Sequence, residues 1–281
     1  MSHALNSLIE RTAPLMESLS QERCHGSQVD SENCSWYHGA WQYLRLLDVV
    51  SAPTWHDSFY RKELEHAAHS YPSPRVLVCG VADYSMLYYV LEEFTSKRVD
   101  ITVLDLCKTP LELCQWCAWN QKRNIQVVQG DLLAHAGNYD VIVTDAFLTR
   151  FDSTSKKQVI EKWRQLLAPG GTLITTVRIA NGSEGKTVST GEQVNEFTGR
   201  ALDASGALSA FPTSPENIAL KAREYAKRIV SYPASAANIE SDIKAAGFTI
   251  SRFGLRKLEG EMEPTSYAEI VAIKEEYHGK A

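Results

Sequence analysis

The sequence predicts an α/β protein built on an open, mostly parallel sheet, and two observations support this fold class. Short β-branched apolar runs recur between residues 75 and 145, and helix-like segments separate them. Each run ends in a glycine or an aspartate, namely Gly80, Asp105, Asp131 and Asp145. Ligands bind outside the carboxyl ends of the strands in such sheets. The four strand ends therefore predict a crevice suited to a nucleotide.

The predicted elements follow in a fixed order. Apolar residues spaced by three and four predict a helix within 1–25, and Pro53 separates two further helices over 35–70. The sheet then begins with strands predicted over 76–79, 100–105, 125–129, 140–144 and 172–178, alternating with helices over 84–96, 110–120 and 155–167. This alternation is typical of parallel strands joined by crossover helices.

The second half of the chain is less regular. The letters APGG at 168–171 predict a helix end before the fifth strand. The tract 180–214 is rich in Gly, Ser, Thr and Asn and loses periodicity, which predicts a lid or a poorly ordered insertion. Helices over 215–229 and 236–246 and strands over 248–258 and 267–274 complete the chain. We expect a helical cover over 1–70 and a ligand-binding domain over 71–281, with the insertion at about 180–230.

Composition excludes several classes of function. The 281 residues are 44% hydrophobic and 22% charged, as in an ordinary soluble globular protein. A net charge of -5 argues against a nucleic-acid partner. No apolar run approaches the roughly 20 residues that cross a bilayer, and the N-terminus has no apolar signal core. We therefore expect a cytoplasmic protein without a membrane partner. The sequence leaves the oligomeric state open, a homodimer included.

Six cysteines do not form the pattern of a secreted disulfide scaffold in a chain of this length. Cys114 and Cys117 form a C-x-x-C pair, but no second C-x-x-C or His pair completes a zinc site. We interpret the cysteines as small apolar residues on a buried helix face and expect no metal.

The order of elements, with APGG before the fifth strand and two closing strands, resembles the class I S-adenosyl-L-methionine (SAM)-dependent methyltransferases over roughly 70–275. The resemblance implies a Rossmann-like sheet with an antiparallel closing strand, and SAM as cofactor. In that family an acidic residue ends the first strand, and a glycine-rich loop then approaches the methionine part of SAM. Here the loop reads VCGVADYS, so Gly80 is kept, Cys79 stands at the acidic position, and Ala82 and Tyr84 replace later glycines.

The resemblance also assigns cofactor contacts to the later strand ends. Asp105 would bind the ribose hydroxyls, because one carboxylate accepts from two vicinal donors. Asp131 would accept from the adenine amino group, with Leu106 or Leu132 against the base, and Asp145 would face the methyl-transfer region. A solvated loop carboxylate or a helix cap is the alternative for each aspartate. Three aspartates at successive strand ends favour the cofactor site.

The segment SWYHGAWQYLR precedes the sheet, where many relatives place a helical cover over the cofactor. Arg45 would pair with the cofactor carboxylate, and aromatic side chains such as Tyr37 and Tyr43 would attract the sulfonium. The alternative is a core-packing helix with a surface arginine.

Candidate bases are few, because no histidine follows the fourth strand in TDAFLTRF. His38 is the best-placed histidine, with a structural role as the alternative. Arg178 ends the fifth strand and would orient an anionic substrate or cap the strand. The candidate catalytic residues are therefore Tyr37, His38, Asp145 and Arg178.

The favoured function is transfer of a methyl group to a small-molecule acceptor in biosynthesis. This reaction needs mainly positioning and the exclusion of water, which accounts for the lack of a catalytic triad. One alternative is cyclisation of SAM, as in the azetidine-2-carboxylate synthases, where the amino nitrogen displaces methylthioadenosine. Cys79 and Tyr84 in the first loop are consistent with it. A catalytically silent binding subunit is disfavoured by Asp105 and Asp131, and a dehydrogenase by the poor glycine loop.

Overall fold

The structure is a computed structural model that describes residues 3–24, 33–95, 98–182, 184–208 and 210–275. Three helices come first: α1 (His3–Arg23), α2 (Ser35–Leu46) and α3 (Asp57–Ser70). The next elements are β1 (Arg75–Cys79), α4 (Ser85–Glu93), β2 (Asp100–Asp105), α5 (Lys108–Asn120), β3 (Gln126–Gln129), β4 (Tyr139–Thr144), α6 (Ser153–Leu166) and β5 (Leu167–Ile179). The remaining elements are β6 (Thr187–Val188), α7 (Gly191–Gly206), α8 (Pro215–Arg228), β7 (Val230–Ser231), α9 (Ala236–Ala245), β8 (Phe248–Leu258) and β9 (Thr265–Lys274).

Seven strands form one sheet in the order β3-β2-β1-β4-β5-β9-β8. The first five strands pair in parallel, and β9 is antiparallel to both β5 and β8. The short strands β6 and β7 pair separately. The predicted fold class, a mostly parallel Rossmann-like sheet with an antiparallel closing strand, is confirmed.

Two apolar clusters cover the two faces of the sheet. The larger one joins α1–α5, α7 and α8 to inward-facing valines such as Val76 and Val78 of β1. The smaller one packs α6 and α9 on the other face, with Trp163 at its centre. The central strands β1 and β4 are almost fully buried, as their β-branched sequences require when helices cover both faces.

Of the two alternatives for 180–214, the poorly ordered insertion is wrong for much of that tract, whereas the lid stays a prediction. Helix α7 occupies Gly191–Gly206 and begins at a capping box, in which Thr190 and Gln193 satisfy each other's backbone N–H groups. Val194, Phe197 and Ala201 recur at helical spacing and are buried. The polar composition of the tract hides this apolar face.

The prediction that APGG separates a helix from the fifth strand also needs correction. Strand β5 begins at Leu167, which pairs with Tyr139, whereas Thr172 pairs with Val141. Residues 168–171 therefore form a bulge within the strand, and Gly170 takes the positive φ of 74° that this bulge requires.

Among the described residues, no helix combines the length and apolar character needed to cross a membrane.

Candidate active site

A cavity of about 240 Å³ opens at the carboxyl ends of β1, β2, β4 and β5, where the strand ends predict a crevice. Gly80, Asp105, Asp145 and Arg178 line it from the sheet side. The residues that line it from the covering elements include Tyr37, His38 and Trp41 of α2, Tyr225 of α8 and Gln193 of α7. The N-terminal helices and the tract after β5 therefore both contribute to this site.

The loop after β1 is fixed by its glycine and by a buried ion pair. Gly80 has a φ of 66°, and a Cβ there would lie 2.1 Å from the ring of Phe147, so the backbone and the packing both require glycine. Asp83 also lines the cavity and pairs with Arg45 at 3.0 Å, and both side chains are buried. Arg45 thus holds the loop instead of lining the cavity.

Cys79 ends β1 at the position where the class I SAM-dependent methyltransferases, which the sequence resembles, have an acidic residue. Burial raises the pKa of Cys79 to about 12. The thiol is therefore neutral and does not supply the negative charge of that residue.

Asp105 connects the loops that follow β1 and β2. Its carboxylate accepts the N–H of Val81 at 3.0 Å and the N–H of Cys107 at 2.7 Å, one on each oxygen. Burial raises the pKa of Asp105 to about 7, although the N–H of Cys107 favours the ionised form. Each oxygen retains a lone pair for a further donor from the cavity.

Asp145 is held by two hydroxyl groups from other elements. Tyr60 of α3 and Thr176 of β5 each donate to its Oδ1 at 2.7 Å. Burial and the charge of Asp145 raise the pKa of Tyr60, so the phenol stays protonated and donates. Both hydrogen bonds go to Oδ1, which leaves Oδ2 available to a ligand.

The residue after Asp145 has a strained backbone. Ala146 has a φ of 49°, in the left-handed region that a non-glycine residue seldom adopts. Its N–H donates to the hydroxyl of Thr176 at 3.1 Å, which fixes the turn. Such strain is typical of functional sites, where neighbouring groups hold it in place.

Stacked aromatic rings form one wall of the cavity. The ring centroid of Tyr37 lies 5.2 Å from that of Trp41 and 6.0 Å from that of Tyr225. The guanidinium of Arg150 lies 5.7 Å from the centroid of Tyr37. The indole N–H of Trp41 is buried and has no partner in the described part of the chain. This wall therefore offers π faces to the cavity.

Arg178 is 8% exposed and lines the cavity at the end of β5. Its backbone N–H donates to the hydroxyl of Thr149 at 3.3 Å. None of the described residues forms an ion pair with its guanidinium. A buried cation without a counter-ion is costly unless a ligand supplies the negative charge.

His38 also lines the cavity, but its ring contacts a cysteine. Its Nδ1 lies 3.3 Å from the sulfur of Cys24. Burial lowers the pKa of His38, but hydrogen bonds to Cys107 and Cys24 outweigh burial and raise it to about 10. This environment does not suit a general base.

Two aromatic residues predicted as cofactor contacts lie outside the cavity lining. The hydroxyl of Tyr43 donates to Glu17 at 2.8 Å. Tyr84 is fully buried, and its hydroxyl lies 2.9 Å from that of Thr12. Both side chains attach α1 to the rest of the fold, and the structure does not bring them to the strand ends.

The residues predicted to bind adenine also lie outside the lining. The N–H of Gly130 donates to the carbonyl of Asp105 at 3.0 Å, so the ends of β2 and β3 are adjacent. Asp131 accepts the N–H of Leu133 at 2.9 Å in a local turn. Leu106 is exposed and Leu132 is buried. Their adenine contacts stay a prediction.

Sequence patterns assign no role to several residues that build the site. Tyr60 and Tyr225 lie on helices distant in sequence from the strand ends, and no local pattern marks them. Glu261 accepts the backbone N–H of Ser51 at 2.9 Å and also lines the cavity. Asp83 alone carries a signal, because it lies within the loop VCGVADYS next to Gly80.

Comparisons with known proteins agree with this geometry. Residues 79–175 match the family model described as a methyltransferase domain. A SAM-dependent methyltransferase from Methanosarcina mazei is 15% identical with a TM-score of 0.52, over 81% of this chain and 99% of that chain. Magnesium protoporphyrin IX methyltransferase from Synechocystis, solved with bound SAM, is 10% identical with a TM-score of 0.51, over 96% of both chains.

A further solved structure is a 1,6-didemethyltoxoflavin-N1-methyltransferase from Burkholderia thailandensis. It is 13% identical with a TM-score of 0.50, over 81% of this chain and 92% of that chain. No curated protein matches the sequence.

The sheet order, the antiparallel β9 and the cavity at the strand ends define a class I methyltransferase fold. Residues 79–175 match the methyltransferase-domain model, and the solved SAM-dependent methyltransferases share the fold of this chain.

Proposed function

We propose that the protein is a SAM-dependent enzyme that transfers a methyl group to a small-molecule acceptor carrying an anionic group. The observation that carries this proposal is the pair of charged groups in one cavity of the methyltransferase domain. Asp145 presents a free carboxylate oxygen there, and Arg178 presents a buried guanidinium without a counter-ion among the described residues.

The cavity residues fit the cofactor. Asp105 has one lone pair on each oxygen for a ribose hydroxyl, because each oxygen accepts only one backbone N–H. The faces of Tyr37 and Trp41 suit a sulfonium cation. Bound SAM supplies an electrophilic methyl group.

Arg178 and Asp145 would orient the acceptor. A carboxylate or another anion would neutralise Arg178 and gain charge-assisted hydrogen bonds. Asp145 Oδ2 would accept a hydrogen bond from the amine or hydroxyl that receives the methyl group. Thr187 and Val188 of β6 and Gln193 of α7 line the same cavity and would exclude water.

The test is product analysis with defined acceptors. The protein is incubated with SAM and a panel of small amines and alcohols, each offered as the carboxylate and as its methyl ester. We expect S-adenosylhomocysteine only when an acceptor is present, with the carboxylates preferred over their esters. Arg178→Gln should remove that preference while the protein stays folded. Equal rates with acids and esters would contradict the role of Arg178.

The same pair of charges also favours a second function, cyclisation of SAM. SAM itself carries a carboxylate that would suit Arg178 and an amine that would suit Asp145, so no separate acceptor is needed. The neutral thiol of Cys79 replaces an acidic residue beside this region.

Incubation with SAM alone separates these functions. Methylthioadenosine and azetidine-2-carboxylate detected by mass spectrometry would support cyclisation and contradict methyl transfer. S-adenosylhomocysteine that forms only with an added acceptor would do the reverse. Absence of SAM binding by calorimetry would favour the silent subunit over both enzymes.

A further inference from the structure

Three cysteines and one histidine from separate parts of the chain converge beside the cavity. Cys24 follows α1, Cys34 precedes α2, His38 lies on α2, and Cys107 follows β2. The sulfur of Cys107 lies 3.5 Å from that of Cys24 and 3.6 Å from that of Cys34. The sulfur of Cys24 lies 3.3 Å from Nδ1 of His38, and all four donor atoms lie within 4.8 Å of one another.

We propose that this Cys3His cluster binds one structural Zn²⁺ ion. Thiolate and imidazole donors in a tetrahedral set are typical of zinc. A Zn–S length of about 2.3 Å places two sulfurs about 3.8 Å apart at the corners of a tetrahedron. The two close sulfur pairs approach that separation. They are much longer than a disulfide bond, which is about 2.05 Å.

The surroundings of the cluster suit metal binding. Cys24 is 1% exposed and His38 is 6% exposed, so both donors are removed from solvent. The hydroxyl of Thr109 lies 3.1 Å from the sulfur of Cys24 and would donate to the thiolate, as partners outside a metal's ligands commonly do.

The cluster has a structural role in this fold. Four protein donors complete a tetrahedral site and leave no position for a substrate. Cys107 follows Asp105 by two residues, so the ion would tie the end of α1 and the start of α2 to the loop that carries Asp105. His38 also lines the cavity. The ion would therefore fix the cover over the site.

The sequence does not reveal this site because Cys107 lies far along the chain from the other three donors. Cys24 and Cys107 are separated by 83 residues. The C-x-x-C pair, Cys114 and Cys117, is buried on α5 and lies outside the cluster. The expectation that no metal is bound rested on that pair, and the proposal replaces it.

Metal analysis of the whole chain tests the proposal. The protein is expressed with zinc and purified under reducing conditions. We then expect elemental mass spectrometry to find about one zinc ion per chain. Exchange with Co²⁺ should produce the thiolate-to-cobalt charge-transfer bands and the intense visible bands of a tetrahedral site. Cys24→Ser and Cys107→Ser should lose the ion, whereas Cys117→Ser, the matched control, should keep it.

Several results would overturn the proposal. One is reduced, folded protein that takes up no zinc from excess Zn²⁺, and another is a cobalt spectrum without thiolate charge transfer. A disulfide that joins Cys107 to Cys24 or Cys34 in metal-free protein would assign the cluster to redox chemistry instead. The cobalt spectrum is measured on the unsubstituted protein, so a serine variant that fails to fold leaves the test intact.

Discussion

At the residue scale, Asp105 is the strand-end carboxylate on which we expect cofactor binding to depend most. Asp105→Ala removes an acceptor that the ribose hydroxyls would use, and such charge-assisted bonds contribute about 1.5–3 kcal/mol. We therefore expect SAM affinity to fall by roughly 10- to 150-fold, since 1.4 kcal/mol is about tenfold. Isothermal titration calorimetry measures this change.

The control for Asp105 lies on the same strand. Asp100 is exposed at the opposite end of β2, so Asp100→Ala should leave SAM affinity unchanged. In Asp105→Ala, the two backbone N–H groups that donate to Asp105 also lose their acceptor. The melting temperature must therefore show that each variant is folded. Unchanged affinity in folded Asp105→Ala protein would remove Asp105 from the cofactor site.

Tyr60 acts through Asp145 and is therefore a positioning residue. Tyr60→Phe removes one of the two donors to Asp145 Oδ1 and leaves Thr176 alone to hold the carboxylate. Under the proposed methyl transfer, we expect kcat to fall by about tenfold or more, which is about 1.4 kcal/mol, with KM for SAM nearly unchanged. Steady-state kinetics with both substrates measures the two parameters.

Tyr89→Phe is the matched control for Tyr60→Phe. The hydroxyl of Tyr89 also donates to an aspartate, Asp57, at 2.6 Å, but neither residue lines the cavity. This variant should lose stability without losing kcat. Equal effects of the two substitutions on kcat would mean that Tyr60 is only structural.

At the scale of elements, the start of α7 links stability to the cavity. Thr190 accepts the N–H of Gln193 at 3.2 Å, and Gln193 lines the cavity. Loss of such a cap costs about 1 kcal/mol, so Thr190→Ala should destabilise the helix and Thr190→Ser should not. Hydrogen exchange measured by mass spectrometry should increase over 187–206 in the alanine variant alone. Equal exchange in both variants would show that the cap does not stabilise α7.

The pairing of β1 with β4 gives stability a defined pH dependence. Arg75 binds Asp140 through two hydrogen bonds of 3.0 and 2.8 Å, and these bonds lower the pKa of Asp140. The ion pair therefore contributes fully to the free energy of unfolding above the pKa of Asp140 in the unfolded chain, about 3.9. This contribution is lost as pH falls through the lower pKa of Asp140 in the folded protein. The stability difference between wild type and Asp140→Asn should shrink as pH falls below about 4.

Urea unfolding at a series of pH values measures this difference. Asp203→Asn, at an exposed position on α7, is the control and should show no such trend. The ion pair does not stabilise the fold if the difference in free energy of unfolding between wild type and Asp140→Asn stays constant at acidic pH.

The strands were more predictable than the covering elements for a physical reason. Strand β2 was predicted with its observed bounds because a buried strand needs a continuous β-branched pattern. Strand β8 was also predicted with its observed bounds, although most of its residues are half-buried or exposed. Helix α7 was missed because its buried face is interrupted by polar residues, although Thr190 and Gln193 form a readable capping box. Local patterns thus define strands well, and they fail for a helix whose apolar face is interrupted by polar residues.

The residues of the candidate site also differ in how well the sequence predicts them. Parallel strands end at one edge of a sheet, and this rule predicted four residues of the site. All four line the cavity, namely Gly80, Asp105, Asp145 and Arg178. Their contacts with ligand stay predictions. Tyr225 was missed because its position depends on how α8 packs against α2, which no local pattern encodes.

At the scale of the whole molecule, the N-terminal helices and the sheet share one apolar core. The cluster runs without interruption from Leu5 and Ile9 of α1 to Val76 and Val78 of β1. Polar contacts reinforce it, since the hydroxyl of Thr12 lies 2.9 Å from that of Tyr84 and donates to Gln42 at 2.9 Å. The division at residue 70, predicted from the sequence, therefore marks a change of architecture within a shared core.

A shared core predicts that the cover and the sheet unfold together. Amides of α1 should exchange with solvent at the same opening free energy as amides of β1, because neither element can expose its apolar face alone. Thr12→Val leaves the hydroxyl of Tyr84 without its partner, which costs about 1–3 kcal/mol, and should lower the opening free energy of both elements equally. Native-state hydrogen exchange across a denaturant series measures both values in one experiment. If α1 opens at a lower free energy while β1 stays protected, the N-terminal helices form a separate covering unit and the single-core interpretation is wrong.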